Sequence, residues 1–347
     1  MSSCFFLNLA HPQTGLCNQL NSLMTAICLC FNKEKIIVID NFLKEVHTNN
    51  FCPIAEIINL EETNRFLKKY NVALVDANFA HNLNIISATY GKNDTFIDVT
   101  HKIKQFLNNN SFSISNTINI NHLFDNFLLG ESDKQIKIEF ILNNYNTFSL
   151  SFSVNNLFLN NEININFSNK NYINAFEWTL IEHENFVNMT NDIYKNLIFC
   201  DQFIINSNLF LSRNNIRKED RINIIHIRIE QDAIDFWGKH NKEMFINKLV
   251  KFYIDSIREL IGRNDKTIIL SYELNNCIVQ FLNDNNYKYY YYEKDKNQNR
   301  ECNAIIDIIN GKSCNNVFIG AGGSTFSHTL LKLISPKKIR MIELNNI

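Results

Sequence analysis

Apolar positions along the chain fall into short continuous runs that alternate with stretches of helical spacing. Cys4–Leu9 reads as a buried strand, Pro12–Gly15 as a turn, and Gln19–Phe31 as a helix with Leu20, Leu23, Met24, Ile27 and Phe31 on one face. Ile36–Asp40 is a second buried strand. Strand, turn, helix, strand is a βαβ unit, which implies a parallel sheet. Thr63–Tyr70 reads as a helix and Val72–Asp76 as a strand. From about 100 to 180 the pattern weakens to short alternating runs, among them Ile136–Leu142 and Thr147–Val154, which predict strands or irregular connections. Phe186–Leu211 reads as helical.

The second half is more regular. Ile222–Ile227, Lys266–Ser271, Tyr287–Tyr292, Asn316–Gly320 and Ile339–Leu344 read as strands. Between them Lys242–Leu260, Asn275–Asn283, Ala304–Asn310 and Thr325–Ile334 read as helices. The alternation predicts α/β architecture with two domains, 1–200 and 201–347, the second doubly wound. The first would carry the irregular middle.

Composition narrows the classes. The 347 residues carry 34 Lys+Arg against 35 Asp+Glu, a net charge of −1, which removes the electrostatic case for a nucleic-acid binder. With 45% hydrophobic and 20% charged residues the chain can bury a sizeable core. Nine Cys include no C-x-x-C pair, so zinc ribbons and thioredoxin-like sites are not expected, and Cys28 and Cys30 read as core. The opening MSSCFFLNLAHPQTG has no basic n-region, and no run of about 18 apolar residues occurs. Neither a signal peptide nor a membrane span is predicted, and reduced thiols in a cytoplasmic setting are the expectation.

Three segments could carry chemistry. In Val317–His328, VFIGAGGSTFSH, three of the nine glycines, Gly320, Gly322 and Gly323, lie within four residues between a strand and a helix. Glycine there admits positive φ and close ligand approach. Ser324 is placed to cap the next helix, and its N–H groups with the Ser324 and Thr325 hydroxyls would suit a phosphate. The bland alternative is a tight turn with an ordinary cap.

In His226–Trp237, HIRIEQDAIDFW, the polar residues His226, Arg228, Glu230 and Asp232 follow a strand's C-terminal end and would share one face if the strand continues. Arg228 could neutralise a diphosphate. The alternative is an ion-paired cluster. In Thr14–Leu23, TGLCNQLNSL, Gly15 and Asn18 occupy the first strand-to-helix turn, where Asn18 could contact a ligand or cap the helix. The other histidines, His11, His47, His81, His101, His122, His183, His240 and His328, show no paired metal spacing. No metal site is predicted.

In order and spacing these segments resemble the GDP-fucose O-fucosyltransferase superfamily, including its plant-type members. TGLCNQL resembles that family's Gly-x-x-Asn-Gln loop, and Phe51–Val75 the segment after its second strand. IIHIRIEQDAIDFWG resembles its His-x-Arg-x-Glu-x-Asp segment, Ile268–Glu273 its next strand, and AIIDIINGKSCNNVFIGAGGSTFSHTL its closing block. The likeness covers about 1–80 and 190–335.

The resemblance implies two Rossmann-like domains facing across a cleft, the GT-B arrangement. It also implies an inverting transfer from a GDP-sugar co-substrate without a metal or other cofactor. Arg228 then matches the arginine on the donor diphosphate. His226 and Asp307 match positions near the nucleoside. Gly322, Gly323, Ser324, Thr325 and Phe326 match the phosphate-binding block, and Gly15 and Asn18 the N-terminal loop. Glu230 and Asp232 are candidates for the base or for orienting Arg228. The acceptor would be a protein or glycan hydroxyl. Another nucleotide sugar, such as a rhamnose donor, and a catalytically silent relative are the alternatives.

Overall fold

The computed structural model describes residues 4–8, 15–31, 35–39, 42–43, 52–77, 83–108, 111–128, 131–142, 146–155, 158–159, 163–166, 172–175 and 181–344. Leu9, Pro12, Thr14, Asp40, Phe51, His11, His47 and His81, all named above, lie outside these residues. The chain divides into two compact units. Of the described residues, the first unit holds 4–8, 19–43 and 52–198, and the second holds 15–18 and 199–344.

The first unit opens with strand β1 (Cys4–Asn8), helix α1 (Leu16–Cys30, whose first three residues belong to the second unit) and strand β2 (Lys35–Ile39). Helices α2 (Ile54–Ile57) and α3 (Leu60–Leu67) and strand β3 (Val72–Asp76) follow. The helix read at Gln19 starts three residues earlier, at Leu16, and buries Leu20, Leu23, Met24 and Ile27 as its spacing requires. Asn59 caps α3 by accepting from the Glu62 N–H at 3.1 Å.

Among the described residues the weakly patterned middle forms a five-stranded and a three-stranded antiparallel sheet. It contains β4 (Leu83–Lys92), β5 (Thr95–Asp98), helix α4 (Thr100–Lys104), β6 (Leu107–Asn108), β7 (Ser111–Ile114) and helix α5 (Ile120–Leu123). It continues through β8 (Lys134–Leu142), β9 (Asn146–Asn155), β10 (Phe158–Leu159), β11 (Ile163–Asn166) and β12 (Tyr172–Asn174). Strands pair in the order β10-β9-β8-β4-β5, antiparallel throughout, while β12-β1-β2-β3 forms a parallel sheet. The two sheets share a core in which Ile36, Val38 and Val75 meet Tyr90, Ile136, Ile138 and Phe140. Lys134 is buried beside it. Its ammonium donates to Asn121 Oδ1 at 2.7 Å and to the Leu128 carbonyl at 3.2 Å, as a buried cation requires.

The single helix read over Phe186–Leu211 is two helices, α6 (Glu184–Asn196) and α7 (Asp201–Arg213). Leu197 turns to extended backbone (φ −69°, ψ 119°) and ends the first.

The second unit runs through β13 (Ile222–His226), α8 (Gln231–Trp237), α9 (Lys242–Leu260), β14 (Lys266–Leu270), α10 (Cys277–Asp284) and β15 (Tyr289–Tyr291). It closes with α11 (Arg300–Gly311), β16 (Val317–Gly322), α12 (Thr325–Leu333) and β17 (Lys338–Glu343). All pairings are parallel, in the order β15-β14-β13-β16-β17. Strand alternation sends Ile225, Ile269 and Ile319 to a core with α9 and α10. Ile224, Ile268 and Phe318 go to a core with α7 and α12. Both faces are covered, which is why these strands read as unbroken apolar runs. Counted within the unit the order is 3-2-1-4-5, so strand order reverses between β13 and β16, the place where open α/β sheets bind ligands.

Candidate active site

The C-terminal ends of β13 and β16 lie side by side at this reversal. β13 stops at His226 rather than running on, and α8 starts at Gln231, so Arg228 and Glu230 sit on a loop and Asp232 on a helix. The shared strand face expected for residues 226–232 does not form. Instead Tyr253 of α9, fully buried, takes over at the strand end. Its hydroxyl donates to the His226 carbonyl at 2.7 Å and accepts from the Arg228 N–H at 3.3 Å. One side chain thereby fixes the backbone on either side of Ile227.

The Arg228 guanidinium is held by two carboxylates. Nη1 donates to Glu230 Oε2 at 2.7 Å and to Asp232 Oδ1 at 3.0 Å, and Nη2 to Asp232 Oδ2 at 2.7 Å. Both partners of the ion-paired reading are therefore present. The guanidinium also stands 5.9 Å from the Trp237 ring centroid. Burial works to raise the Asp232 carboxyl, but the hydrogen bond and charge of Arg228 hold it below its ordinary range.

His226 is buried. Its Nδ1 shares a 2.7 Å hydrogen bond with Ser327 Oγ, which also accepts from the Ala321 N–H at 3.2 Å. Its ring lies against Phe326, 4.7 Å between centroids. Burial, reinforced by the charges of Arg228 and Lys294, pulls its pKa from 6.5 down to about 3, so the imidazole is neutral.

The glycines separate by role. Gly323 alone of the three has positive φ (+81°), and a Cβ there would sit 3.7 Å from Trp237. The indole thus adjoins both Gly323 and Arg228. At Gly322 a Cβ would fall 2.3 Å from Glu343 Oε1, so this glycine makes room for a side chain of β17. At Gly320 a Cβ would meet the Phe318 ring and Ser327 Oγ at 2.8 Å. Gly320→Ala is expected to cost about 1–3 kcal/mol in a melting experiment, because Ser327 cannot yield without releasing His226. Gly322→Ala should cost less, since the exposed Glu343 can swing away.

Ser324 occupies the N-cap position of α12, as read, but its side chain makes no capping hydrogen bond. The helix start, with Thr325 and Phe326 in its first turn, therefore keeps donors for an anion. Asp307, on α11, pairs with Lys294, and its other oxygen, Oδ1, is buried with no hydrogen-bond partner. Burial raises its carboxyl more than Lys294 lowers it.

Gly15 and Asn18 belong to the same unit. Glu301 Oε2 accepts the Leu16 N–H at 2.6 Å, capping α1 from a position 285 residues away. Cys17 meets Thr329 of α12 through a side-chain hydrogen bond. Asn18 does not serve as the cap: it lies inside the helix, its N–H donating to the Gly15 carbonyl at 3.0 Å, and its Oδ1 is buried without a partner. Sequence reasoning passed over Tyr253, Lys294 and Glu301. Of these only Tyr253 left a signal, a hydroxyl on the apolar face of a long helix.

Among the described residues no group of three His, Cys, Asp or Glu side chains is placed to hold a metal ion. No helix among them is long and apolar enough to cross a membrane. Cys17, Cys277 and Cys314 are free thiols.

No family model matches the chain, and no curated protein matches it. Solved structures do. The chain is similar to POFUT1 in its apo form, with TM-score 0.48 and 10% identity over 98% of this chain and 97% of that one. It is similar to POFUT1 in complex with GDP-fucose, with TM-score 0.49 and 10% identity over 97% of each chain. It is similar to the NodZ alpha-1,6-fucosyltransferase soaked with GDP-fucose, with TM-score 0.36 and 13% identity over 50% of this chain and 55% of that one.

Proposed function

We propose that the chain is an inverting glycosyltransferase that moves fucose from GDP-fucose to a hydroxyl of a protein or glycan. The observation that carries this reading is the placing of Arg228 and Gly323 on the same indole, Trp237, at the reversal of strand order. A diphosphate at that point would meet a guanidinium on one side and an uncapped helix start on the other. The sequence segments that resemble the fucosyltransferase superfamily supply these same residues.

The chemistry follows from charge. The acceptor hydroxyl gives its proton to a carboxylate, of which Asp232 is the more open, as its oxygen attacks the anomeric carbon; the bond to the diphosphate breaks, and the departing GDP takes the electron pair. Arg228 and the N–H groups of the first turn of α12 stabilise that charge, a task for which no cofactor is required. By the same resemblance, neutral His226, bonded to Ser327, and Asp307, paired with Lys294, would contact the nucleoside. Glu230 and Asp232 orient Arg228. Asp232, whose side chain is 55% exposed against 10% for Glu230, is the one open to an acceptor hydroxyl.

Calorimetric titration without added metal, against GDP, GDP-fucose, UDP and a UDP-sugar, tests the donor. Guanine-selective binding is expected. Selective UDP binding would move the donor to another sugar class, and binding of none of the four would leave a silent relative as the reading.

A further inference from the structure

The two carboxylates on Arg228 are not equivalent. Glu230 is enclosed, its side chain 10% exposed, and its second oxygen faces the Tyr272 N–H at 3.5 Å. Asp232 lies on the first turn of the short helix α8, more than half exposed. It meets both outer nitrogens of the guanidinium with both its oxygens, the fork geometry in which arginine also receives a phosphate. One cation and two anions leave the cluster with a net charge of −1, which opposes an arriving diphosphate.

A receiving partner stands nearby. The Arg300 guanidinium, packed 4.4 Å from the Tyr272 ring centroid, is close enough for its charge to act on Asp232. Turning the Asp232 side chain from Arg228 toward Arg300 would uncover the guanidinium and keep the carboxylate in the field of a cation.

We propose that Asp232 is a built-in counter-ion that occupies the diphosphate's seat on Arg228 and is exchanged for it on binding, while Glu230 remains as the positioning partner. The proposal rests on the reading of Arg228 as an anion anchor. Two consequences follow. The guanidinium stays ordered before the ligand arrives, so little side-chain entropy is lost at binding. The Asp232 carboxylate leaves Arg228 for the field of Arg300 only when the diphosphate is seated.

The test is calorimetric titration with inorganic pyrophosphate, and separately with GDP, of the wild-type chain and its variants. Asp232→Asn is expected to bind pyrophosphate about twofold to fivefold more tightly, the scale of one half-exposed ion pair. Asp232→Ser should show the same gain, Glu230→Gln should show none, and Arg228→Ala should lose binding. An unchanged or weaker affinity in Asp232→Asn would overturn the exchange. So would an equal gain in Glu230→Gln, which would mean bulk charge alone, or pyrophosphate binding by none of the proteins. A gain for pyrophosphate with no binding of GDP would uphold the exchange and reject the nucleotide-sugar reading.

Discussion

Arg228→Ala is expected to lower transfer at least ~100-fold, the scale for removing one charge-stabilising donor from a preorganised site. GDP release from GDP-fucose, with water as the acceptor, gives the rate without knowledge of the natural acceptor. The same substitution removes three hydrogen bonds and leaves the enclosed Glu230 carboxylate without its cation. A fall in melting temperature worth about 1–3 kcal/mol should accompany it. The two effects can be separated. Adding Glu230→Gln to Arg228→Ala relieves the stranded charge and should restore most of the stability, but none of the transfer. Arg228→Lys keeps a charge and loses the fork, so it should also fall well short of the wild-type rate. Near-normal turnover in any of these three proteins would remove Arg228 from the chemistry.

His226 makes the second large prediction, in stability against pH. The folded chain holds this imidazole neutral down to about pH 3, whereas in the unfolded chain it binds a proton near pH 6.5. Between those values the unfolded state carries the extra proton. Stability therefore falls as pH drops through this window and is flat with respect to this group above it. From pH 6.5 to 4.5 the loss amounts to roughly 2–3 kcal/mol. Carboxylates add their own acid loss, so the comparison is with His226→Asn, which cannot titrate and can still bond Ser327. Its stability curve should be flatter by that amount over the same window, from a lower starting value because the contact with Phe326 is gone. Parallel curves would mean that His226 is protonated in the fold.

Much of the second unit was legible because its strands are covered on both faces. Ile222–Ile227 and Asn316–Gly320 read as strands for that reason, and the helices between them showed the complementary period. The first unit was legible only in part. Ile136, Ile138 and Phe140 alternate with Gln135, Lys137 and Glu139, as an inward and outward face requires. Their partner β4 carries Asn84, Ser87 and Gly91 among its apolar residues and was not read as a strand. The break between α6 and α7 falls at Leu197–Cys200, an apolar stretch with no Gly or Pro to mark it. The site shows the same division. Arg228, Glu230, Asp232 and the Gly-Ser-Thr-Phe block stood out as local clusters. The contacts that order them, Tyr253 on the β13 end and Glu301 on Leu16, join distant parts of the chain and leave no local pattern. The glycine cluster invited one explanation and has three, a positive φ at Gly323, a packed serine at Gly320 and a neighbouring strand's carboxylate at Gly322.

The hydrogen bond from Leu16 to Glu301 also bears on how the chain is made. Its ends are 285 residues apart, so at ~5–20 residues per second of synthesis the first emerges roughly 15 to 60 s before the second. Throughout that interval the start of α1 has no carboxylate to receive it, and closing so long a loop costs entropy before the contact returns any energy. Residues 15–18 belong to the second unit, which therefore cannot reach its final form as it leaves the ribosome until nearly the whole protein exists. In a fragment beginning at Phe199 the buried Glu301 would lack the backbone N–H it accepts in the intact chain.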